Sequence, residues 1–461
     1  MTGRDRGAAL AQLNSIEGLR MARIMVLAIV LGSWLSVAAA EDAVALREEP
    51  AIGTTRVLIE FKADGESTVE PIPGAPKEKP LPLKIEARLD FYERIVNRDA
   101  DGSPRRAARR AVEAVAAIGD ARGLVKLRPE VALLIADRRA AGNVVYSPSG
   151  PLMRTELDLV QVPGDPLALG GLMPEKAVKV GDRWPVSDEA AKNLCDYDAL
   201  AKNGLEAKLE SLDELKAEVR VGGEVRGSSR GGEGVIVFAG RFTFDRKLKR
   251  ISRLKVTRDE ARKAGPVEVA VKAKSTLTVE RDAAETPAAL SDEVLATLPR
   301  DDDPRREWLL LAPPDARYTL EHDRDWHLRR EDAKGVVLTR LDRVKAEPIA
   351  HLHLSAGPNA GKGRHQDLAE FRDDVKKAIG ARFDQVVDAG EVEGGPNSGF
   401  QYRIAVLGHE GARPVLWFYY LVASAEGDQL LGIFTLAPEA EKSFNGEDRA
   451  ILGSLEWKAA K

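Results

Sequence analysis

Leu83-Lys84-Ile85-Glu86-Ala87-Arg88-Leu89-Asp90-Phe91, residues 83–91, sets an apolar side chain at every second position with a charged one between. Side chains of an extended chain alternate between faces, so this stretch predicts a half-buried strand. The same texture spreads outward. Thr54–Phe61, TTRVLIEF, is rich in β-branched and apolar residues and reads as an earlier strand. Between the two lies Pro71–Pro82, PIPGAPKEKPLP, whose five prolines demand a loop or an extended crossing. Downstream, Val131–Ile135 and Val144–Tyr146 read as strands across a turn near Gly142-Asn143, and Glu156–Val162 as an alternating strand. Leu205–Leu212, Lys216–Val221, Gly234–Phe244 and Val267–Val279 follow, separated by Gly222-Gly223, Gly231-Gly232 and Gly265-Pro266. Residues 54–281 are therefore expected to be a mainly β domain, one large sheet or a curved half-barrel.

One segment inside it is two-sided. Over 103–117, Ser103-Pro104 suits a helix start and the Ala, Arg and Glu content favours helix, while the flanking pattern is all strand. Both assignments stay open. Its Arg105, Arg106, Arg109 and Arg110 form a basic cluster that reads as a solvated charged face.

Residues 282–316 carry linker signatures, DAAETPAALSDEVLATLP and then DDDPRREWLLLAPPD, with Asp301-Asp302-Asp303 a solvated hinge rather than a metal clamp. Beyond them the texture changes. Tyr318–Glu321, Trp326–Arg329, Val336–Leu341 and Ile349–Leu354 are short strands. Asp367 to Phe383 places Leu368, Phe371, Val375, Ile379 and Phe383 at helical spacing. Gln401–Leu407, Val415–Val422 and Gln429–Leu436 are further strands, and a last helix is expected with Asn445 as its cap and Ile451, Leu452 and Leu455 inward. Residues 317–458 thus read as α+β, one antiparallel sheet with helices against it.

Residues 21–40, MARIMVLAIVLGSWLSVAAA, have one basic residue, an apolar run from Ile24 to Leu35, and Ala38 and Ala40 as an A-x-A cleavage site. This is the layout of a secretory signal peptide. Met21 reads as a better start than Met1, with 1–20 an upstream extension and 41–53 a flexible lead-in. The expected location is an exported space, periplasmic or extracellular, with a soluble mature form: no second apolar run approaches the ~18 residues of a membrane span.

Composition narrows the chemistry. The chain of 461 residues is 44% hydrophobic, 5% aromatic and 31% charged, so its cores are aliphatic and its surfaces carry both signs. A net charge of −4 gives no general attraction to nucleic acid. The single Cys195 makes no internal disulfide and reads as a semi-buried apolar thiol.

Tyr318-Thr319-Leu320-Glu321-His322 followed by Trp326, the strand Trp417-Phe418-Tyr419-Tyr420-Leu421-Val422, and the closing Ile433-Phe434-Thr435 with Leu455-Glu456-Trp457 resemble the PsbP/DcrB-like domain. The resemblance covers about 140 residues. It implies an antiparallel α-β-α sandwich and brings no catalytic residues with it. Ser147–Leu157 and Leu172–Trp184 resemble an uncharacterised β-rich domain of bacterial exported proteins. The second of these reads as a proline-led entry, a short strand, a Gly-Asp turn and an anchoring tryptophan.

Candidate chemistry is sparse. All six histidines lie between His322 and His409, and His351 and His353, two apart on a strand, share a face from which they could ligate zinc or copper, with His365 or Asp367 as companions. Gly357–Arg364 is one residue short of a phosphate-cradling loop and reads as a mobile loop. Gly227-Ser228-Ser229-Arg230 is no nucleophile elbow. In Trp417–Tyr420, Trp417 and Tyr419 face one side and Phe418 and Tyr420 the other; core packing accounts for most of this, but any face left open by the helices becomes a docking surface for Trp417 and Tyr419. These readings favour an exported, non-catalytic envelope protein without a cofactor, binding a partner or an apolar ligand. A structural or assembly scaffold is the alternative, and a metal-dependent enzyme using His351 and His353 comes last.

Overall fold

The computed structural model describes residues 43–49, 53–69, 79–119, 123–139, 142–299, 303–394 and 399–458. The expected signal region 1–40 and residues 71–78 of the proline-rich stretch lie outside them.

The strand read from residues 83–91 is the middle of β2 (Leu81–Arg98), which pairs with β1 (Thr54–Thr68) on one side and β3 (Pro104–Ile118) on the other. The ambiguous stretch 103–117 is thus a strand. Its alanines decide the matter: Ala107 and Ala108 are fully buried in extended pairing, and small inward side chains let neighbouring layers approach. β4 (Gly123–Lys126), β5 (Leu133–Arg139) and β6 (Gly142–Tyr146) extend that edge. β7 (Leu152–Met153) leads into α1 (Arg154–Val160), a short helix where an alternating strand is expected over Glu156–Val162. The physical reason is a cap. Glu156 accepts the Met153 amide at 2.8 Å, satisfying an orphan N–H of the first turn, and Arg128 clamps the same carboxylate at 2.8 Å.

A 3-10 stretch (Pro166–Leu172), β8 (Arg183–Pro185), α2 (Asp188–Cys195), β9 (Ala199–Asn203) and β10 (Glu206–Leu212) follow. The tryptophan read as an anchor does anchor: Trp184 Nε1 donates to Leu172 O at 2.9 Å. The long antiparallel strands β11 (Lys216–Ser229), β12 (Gly232–Asp245), β13 (Arg250–Arg262) and β14 (Ala270–Ala284) bring the chain back beside β1. The sheet order is β6-β5-β3-β2-β1-β14-β13-β12-β11-β10-β8, with β4 also on β3 and β9 on β11. This sheet does not close into a barrel. It curls until both ends touch α2, which contacts β6 at one end and β9 at the other.

The two faces of the curled sheet differ. The concave face packs Val57, Ile59, Phe91 and Phe242 against Leu157 and Val160 of α1, Leu169 of the 3-10 stretch and Leu194 of α2. The convex face carries cross-strand ion pairs, among them Arg56–Asp90 at 2.7 Å, Arg88–Glu60 at 2.8 Å and Arg253–Glu280 at 2.7 Å. Residues 44–49, expected as a flexible lead-in, are instead packed: Val44 bridges Val178, Leu46 is buried, and Glu48 takes Arg281 Nη1 at 2.7 Å.

The segment 282–316, expected as a linker, is also packed along its described part. It holds α3 (Asp292–Thr297) and β15 (Leu309–Leu311); Leu290 and Leu309 are fully buried, and Arg94 and Arg106 of the large sheet donate to Leu290 O at 2.6 Å and Pro299 O at 2.8 Å. Backbone carbonyls captured by half-buried guanidiniums hold it as an ordered strap. β15 runs parallel to β7 and antiparallel to β16 (Tyr318–His322), so one small sheet is shared by both halves of the chain.

The second large sheet is built from β17 (Trp326–Asp332), β18 (Gly335–Leu341), β19 (Pro348–Gly357), β20 (Phe383–Glu391), β21 (Phe400–Glu410), β22 (Arg413–Ala423) and β23 (Gln429–Leu436), in the order β17-β18-β19-β23-β22-β21-β20. The helix expected from residue 367 is α4 (Leu368–Ile379), capped by Asp367, which accepts the Ala369 amide at 2.9 Å. It packs Phe371, Val375 and Ile379 on one face. On the other lie α5 (Glu441–Phe444) and α6 (Glu447–Leu452), bringing Phe444, Ile451 and Leu452 against Trp326, Phe418 and Phe434. This is an α-β-α layering. Asn445, expected to start the last helix, ends the one before it: its φ of 47° is the left-handed C-terminal turn of α5. A final pair, β24 (Glu456–Trp457), returns to β16.

Candidate functional site

The concave trough is filled along most of its length and open at one end. There a cavity of about 380 Å³ lies between the sheet and the segment joining α1 to α2. Its floor explains it. The inward positions are small, Ala63, Ala87, Ala116 and Ala273, where the filled part of the trough carries Phe91 and Phe242. Gly65 belongs to the same row; a Cβ there would stand 2.2 Å from Lys272 O, so β1 and β14 meet at glycine. Phe61, Leu83, Ile85 and Val125 complete an apolar wall whose side chains are only half-buried. A volume of this size falls within the ~300–1,000 Å³ typical of small-molecule sites.

The cavity is bipolar. Its lining runs from β4 across β3, β2, β1 and β14 to β13, five strand spacings, roughly 24 Å measured along the curled sheet at ~4.8 Å each. The β4 side is apolar. The β13 side presents Arg258, Glu260 and Arg262, three successive inward positions of one strand. Arg258 is 4% exposed, lies over the Phe61 and Phe238 rings at 5.7 and 5.9 Å, and donates to Cys195 O at 3.2 Å and Glu260 at 3.3 Å. Arg262 pairs with Glu260 at 3.3 Å and with Glu268, which also takes Arg230. The Nε of Arg258 is buried with no hydrogen-bond partner among the described residues, and the Nε of Arg262 faces Glu260 Oε1 at 3.3 Å without hydrogen-bond alignment. Asp158 of α1 and Asp196, the left-handed residue closing α2, stand at the mouth. Surrounding protein pushes the Asp158 carboxyl up, with Arg154 and Arg230 pulling it back.

Cys195 lines this cavity as a buried thiol, pushed up to about 12 by burial, so it is no thiolate nucleophile near neutrality. Tyr197 lies flat on glycine: a Cβ on Gly227 would stand 2.5 Å from its ring and one on Gly234 would stand 2.4 Å from its hydroxyl.

The other sequence candidates are dispersed. His351 is exposed, with Nδ1 3.0 Å from Thr339 Oγ1, and His353 is half-buried, its Nε2 without a hydrogen-bond partner among the described residues. His365 stacks on Phe400 at 3.8 Å and Asp367 caps α4, so neither expected companion serves a shared site. Among the described residues no three His, Cys, Asp or Glu side chains gather to hold a metal. Trp417 and Tyr419 do share a face, but α4 covers it and leaves them 4% and 7% exposed, so they offer no docking surface. The Gly357–Arg364 loop is pinned: Ala360 N donates to Gly427 O at 2.9 Å and Gly363 N to Ala425 O at 2.9 Å. Arg109 is not on a solvated face; it is 2% exposed, bidentate to Asp165 at 2.7 Å and bonded to Glu93 at 2.8 Å.

The residues the sequence reading missed are those of β13. Arg258, Glu260 and Arg262 occupy apolar-face positions with charges, which interrupts the alternation begun by Leu254 and Val256 and hides the strand. That interruption was itself the available signal.

No family model and no curated protein matches this sequence. Among solved structures, the chain is similar to lipovitellin, in a structure titled for its lipid–protein interactions, at 9% identity over 53% of this chain and 26% of that one, with a TM-score of 0.30. It spans about a quarter of that chain's length. Similarity also extends to OccK11 (OpdR) of Pseudomonas aeruginosa, 9% identical over 86% of this chain and 99% of that one with a TM-score of 0.11. A porin of Rh. blastica is 11% identical over 83% and 99%, with a TM-score of 0.12. TM-scores this low establish no shared fold. The ion-paired convex face is also unlike the apolar outward belt of a membrane-spanning barrel. Among the described residues no helix is long and apolar enough to cross a membrane.

Proposed function

We propose that this is an exported, non-catalytic binding protein whose curled sheet holds an apolar or amphiphilic small molecule. One observation carries the reading: a cavity of about 380 Å³ with half-buried apolar walls at an end of the trough that its own helices leave unfilled. Apolar surface left uncovered in this way favours occupancy by an apolar group. Export rests on the signal-peptide layout of residues 21–40, and the sandwich half retains its resemblance to PsbP/DcrB-like domains as part of the proposal.

The test is native mass spectrometry of the protein purified from cells that export it, together with titration of the neutral fluorescent probe N-phenyl-1-naphthylamine. A co-purifying small molecule and saturable probe binding, both lost in Ala116→Phe with the thermal transition kept, support carriage. No bound mass and no probe binding overturn it. The scaffold reading is favoured by the packed middle of the trough, where Leu157, Leu169 and Leu194 are buried against the sheet.

A further inference from the structure

The floor of the cavity runs on past its roof to the end of the sheet. Strand register shows how far. Ile118, the last residue of β3, lies opposite Ile85, yet β2 continues from there to Leu81, about 13 Å at ~3.3 Å per residue. β1 keeps pace, with Ser67 opposite Leu81, and β14 follows, with Ala270 opposite Thr68. Three adjacent strands therefore form a lip beyond the end of β3.

Alternation gives the lip two unlike faces. The row that floors the cavity at Ala63, Ile85 and Ala273 continues as Gly65, Leu83, Ser67, Leu81 and Val271. Val69 and Val269, one residue past the paired ends, extend it; Ser67 is the one polar side chain in the row. Leu81 is 57% exposed, Val69 42%, Val269 39% and the neighbouring Ile118 49%. On the reverse face Asp64, Glu66, Lys84, Lys272 and Lys274 are all exposed, broken by Thr68, Pro82 and Ala270.

Exposed apolar side chains scattered singly need no explanation, but these adjoin one another and the cavity. Leu83, Val271 and Ile118 belong to the cavity wall and border the lip, so apolar surface is continuous from inside to outside. A molecule held in the cavity reaches the lip with its apolar part shielded from water, which lowers the cost of exchange with a lipid layer. The uncovered area is on the order of a few hundred Å², short of the ~800 Å² that each partner gives to a stable protein interface. An apolar face backed by a charged one is also the arrangement of elements that lie in a membrane surface, apolar side down.

We propose that the lip made by the ends of β2, β1 and β14 docks on a lipid surface, with Leu81, Val69 and Val269 inserted and the charged face in water. It rests on the cavity reading proposed above for what passes over the lip. The inserted row carries no charged side chain, so docking does not require anionic lipid.

The test uses protein purified from cells that export it and vesicles of phosphatidylcholine alone. Cys195 is the single cysteine and is buried, so Leu81→Cys and Lys84→Cys each take one nitrobenzoxadiazole label, at side chains of similar exposure on opposite faces. With vesicles the label at position 81 is expected to brighten and shift to the blue, while that at position 84 stays as in water. Equal responses at the two positions, or none at position 81, overturn the proposal. Leu81→Asp combined with Val269→Asp, both outside the cavity lining, is expected to lower vesicle partitioning about tenfold. N-phenyl-1-naphthylamine binding, measured without vesicles, should be unchanged in that double variant. The amino-terminal region is the same in every variant, so the difference reads the lip. Wild-type partitioning should change less than about twofold between ~50 and ~500 mM salt; binding that needs anionic lipid and vanishes with salt rules out apolar insertion. A wild-type dimer that falls apart in the double variant assigns the lip to a second copy of the chain and defeats the lipid assignment. Absence of probe binding with vesicle docking intact sinks the cavity reading and leaves the docking surface standing.

Discussion

The two large sheets are both antiparallel, yet one is dry on both faces and the other is not. The sandwich sheet is covered by α4 on one side and by α5 and α6 on the other, and its aromatic side chains interlock: Trp326 meets Phe434 edge to face at 5.9 Å and Phe434 meets Phe444 at 5.9 Å. The curled sheet buries its concave face against three short segments of its own chain; on its convex face Ala108, Ile135 and Tyr146 lie under Leu290 of the strap, and the central strands carry ion pairs instead. Its inward row shrinks to alanine and glycine at one end. Bulky side chains close the interior of the sandwich; small ones leave room in the trough. Side-chain volume along one face, rather than the sheet's topology, separates a filled core from a cavity.

That contrast is best attacked where it is strongest. Phe434→Ala in the sandwich is expected to lose about 3–5 kcal/mol, since three aromatic neighbours cannot collapse into the space; chemical denaturation reads it. Arg109→Ala in the curled sheet should cost a similar ~3–5 kcal/mol by a different route, because Glu93 and Asp165 are left buried and unpaired. A loss below ~1 kcal/mol there would mean that the trough is wetter than its packing implies.

Next comes acid. His322, in the small sheet shared by both halves, is 3% exposed and held down to about 4 by burial, with its Nδ1 2.8 Å from Asp323 O. Below its ordinary value near ~6.5 the unfolded chain takes up the proton first. The stability contributed by the neutral ring is therefore complete above ~6.5 and is lost as pH falls toward about 4, about 3 kcal/mol across that window. Asp325 and Glu447, pushed up by burial, work in the opposite direction, so the measurement is the difference between the wild type and His322→Asn. Parallel pH profiles for the two would remove the ring from the account.

Smaller effects test the edges of the comparison. Tyr420→Phe deletes a hydroxyl that donates to buried Asp448 at 2.7 Å and should cost about 1–2 kcal/mol, with Arg403 still holding the carboxylate at 2.8 Å. Leu83→Ala, on the cavity wall, should cost less than ~1 kcal/mol because that side chain is already half in the open. If Leu83→Ala proves as damaging as Phe434→Ala, the cavity end is packed like the sandwich and the distinction collapses.

Much of the fold was legible from local pattern. Alternation at 83–91, helical spacing at Leu368–Ile379 and the aromatic run Trp417–Tyr420 each report on one element's own two faces, and periodicity is a property of one element. The misreadings share a cause. Glu156 turned a strand pattern into a helix by capping it, and Arg109 left the surface by finding Asp165, 56 residues away. Leu290 and Leu309 ordered an expected linker by packing against distant strands. In each case the deciding partner is remote in sequence. The candidate site was the least legible part, because Arg258, Glu260 and Arg262 look like a broken strand until Cys195 O and Glu268 are placed beside them.

Read alone, the amino-acid order determined that most of this chain is antiparallel strand and that one long helix accompanies the second sheet; these follow from side-chain periodicity, which needs no knowledge of neighbours. Whether the first sheet would close, fill or leave a space was decided only in three dimensions. The curl brings β6 and β9 to the same helix, and the row of Ala63, Ala87, Ala116 and Ala273, unremarkable in four separate strands, becomes a floor only when hydrogen bonding sets those strands side by side. A cavity is a sum over elements, and no single stretch of sequence carries that sum.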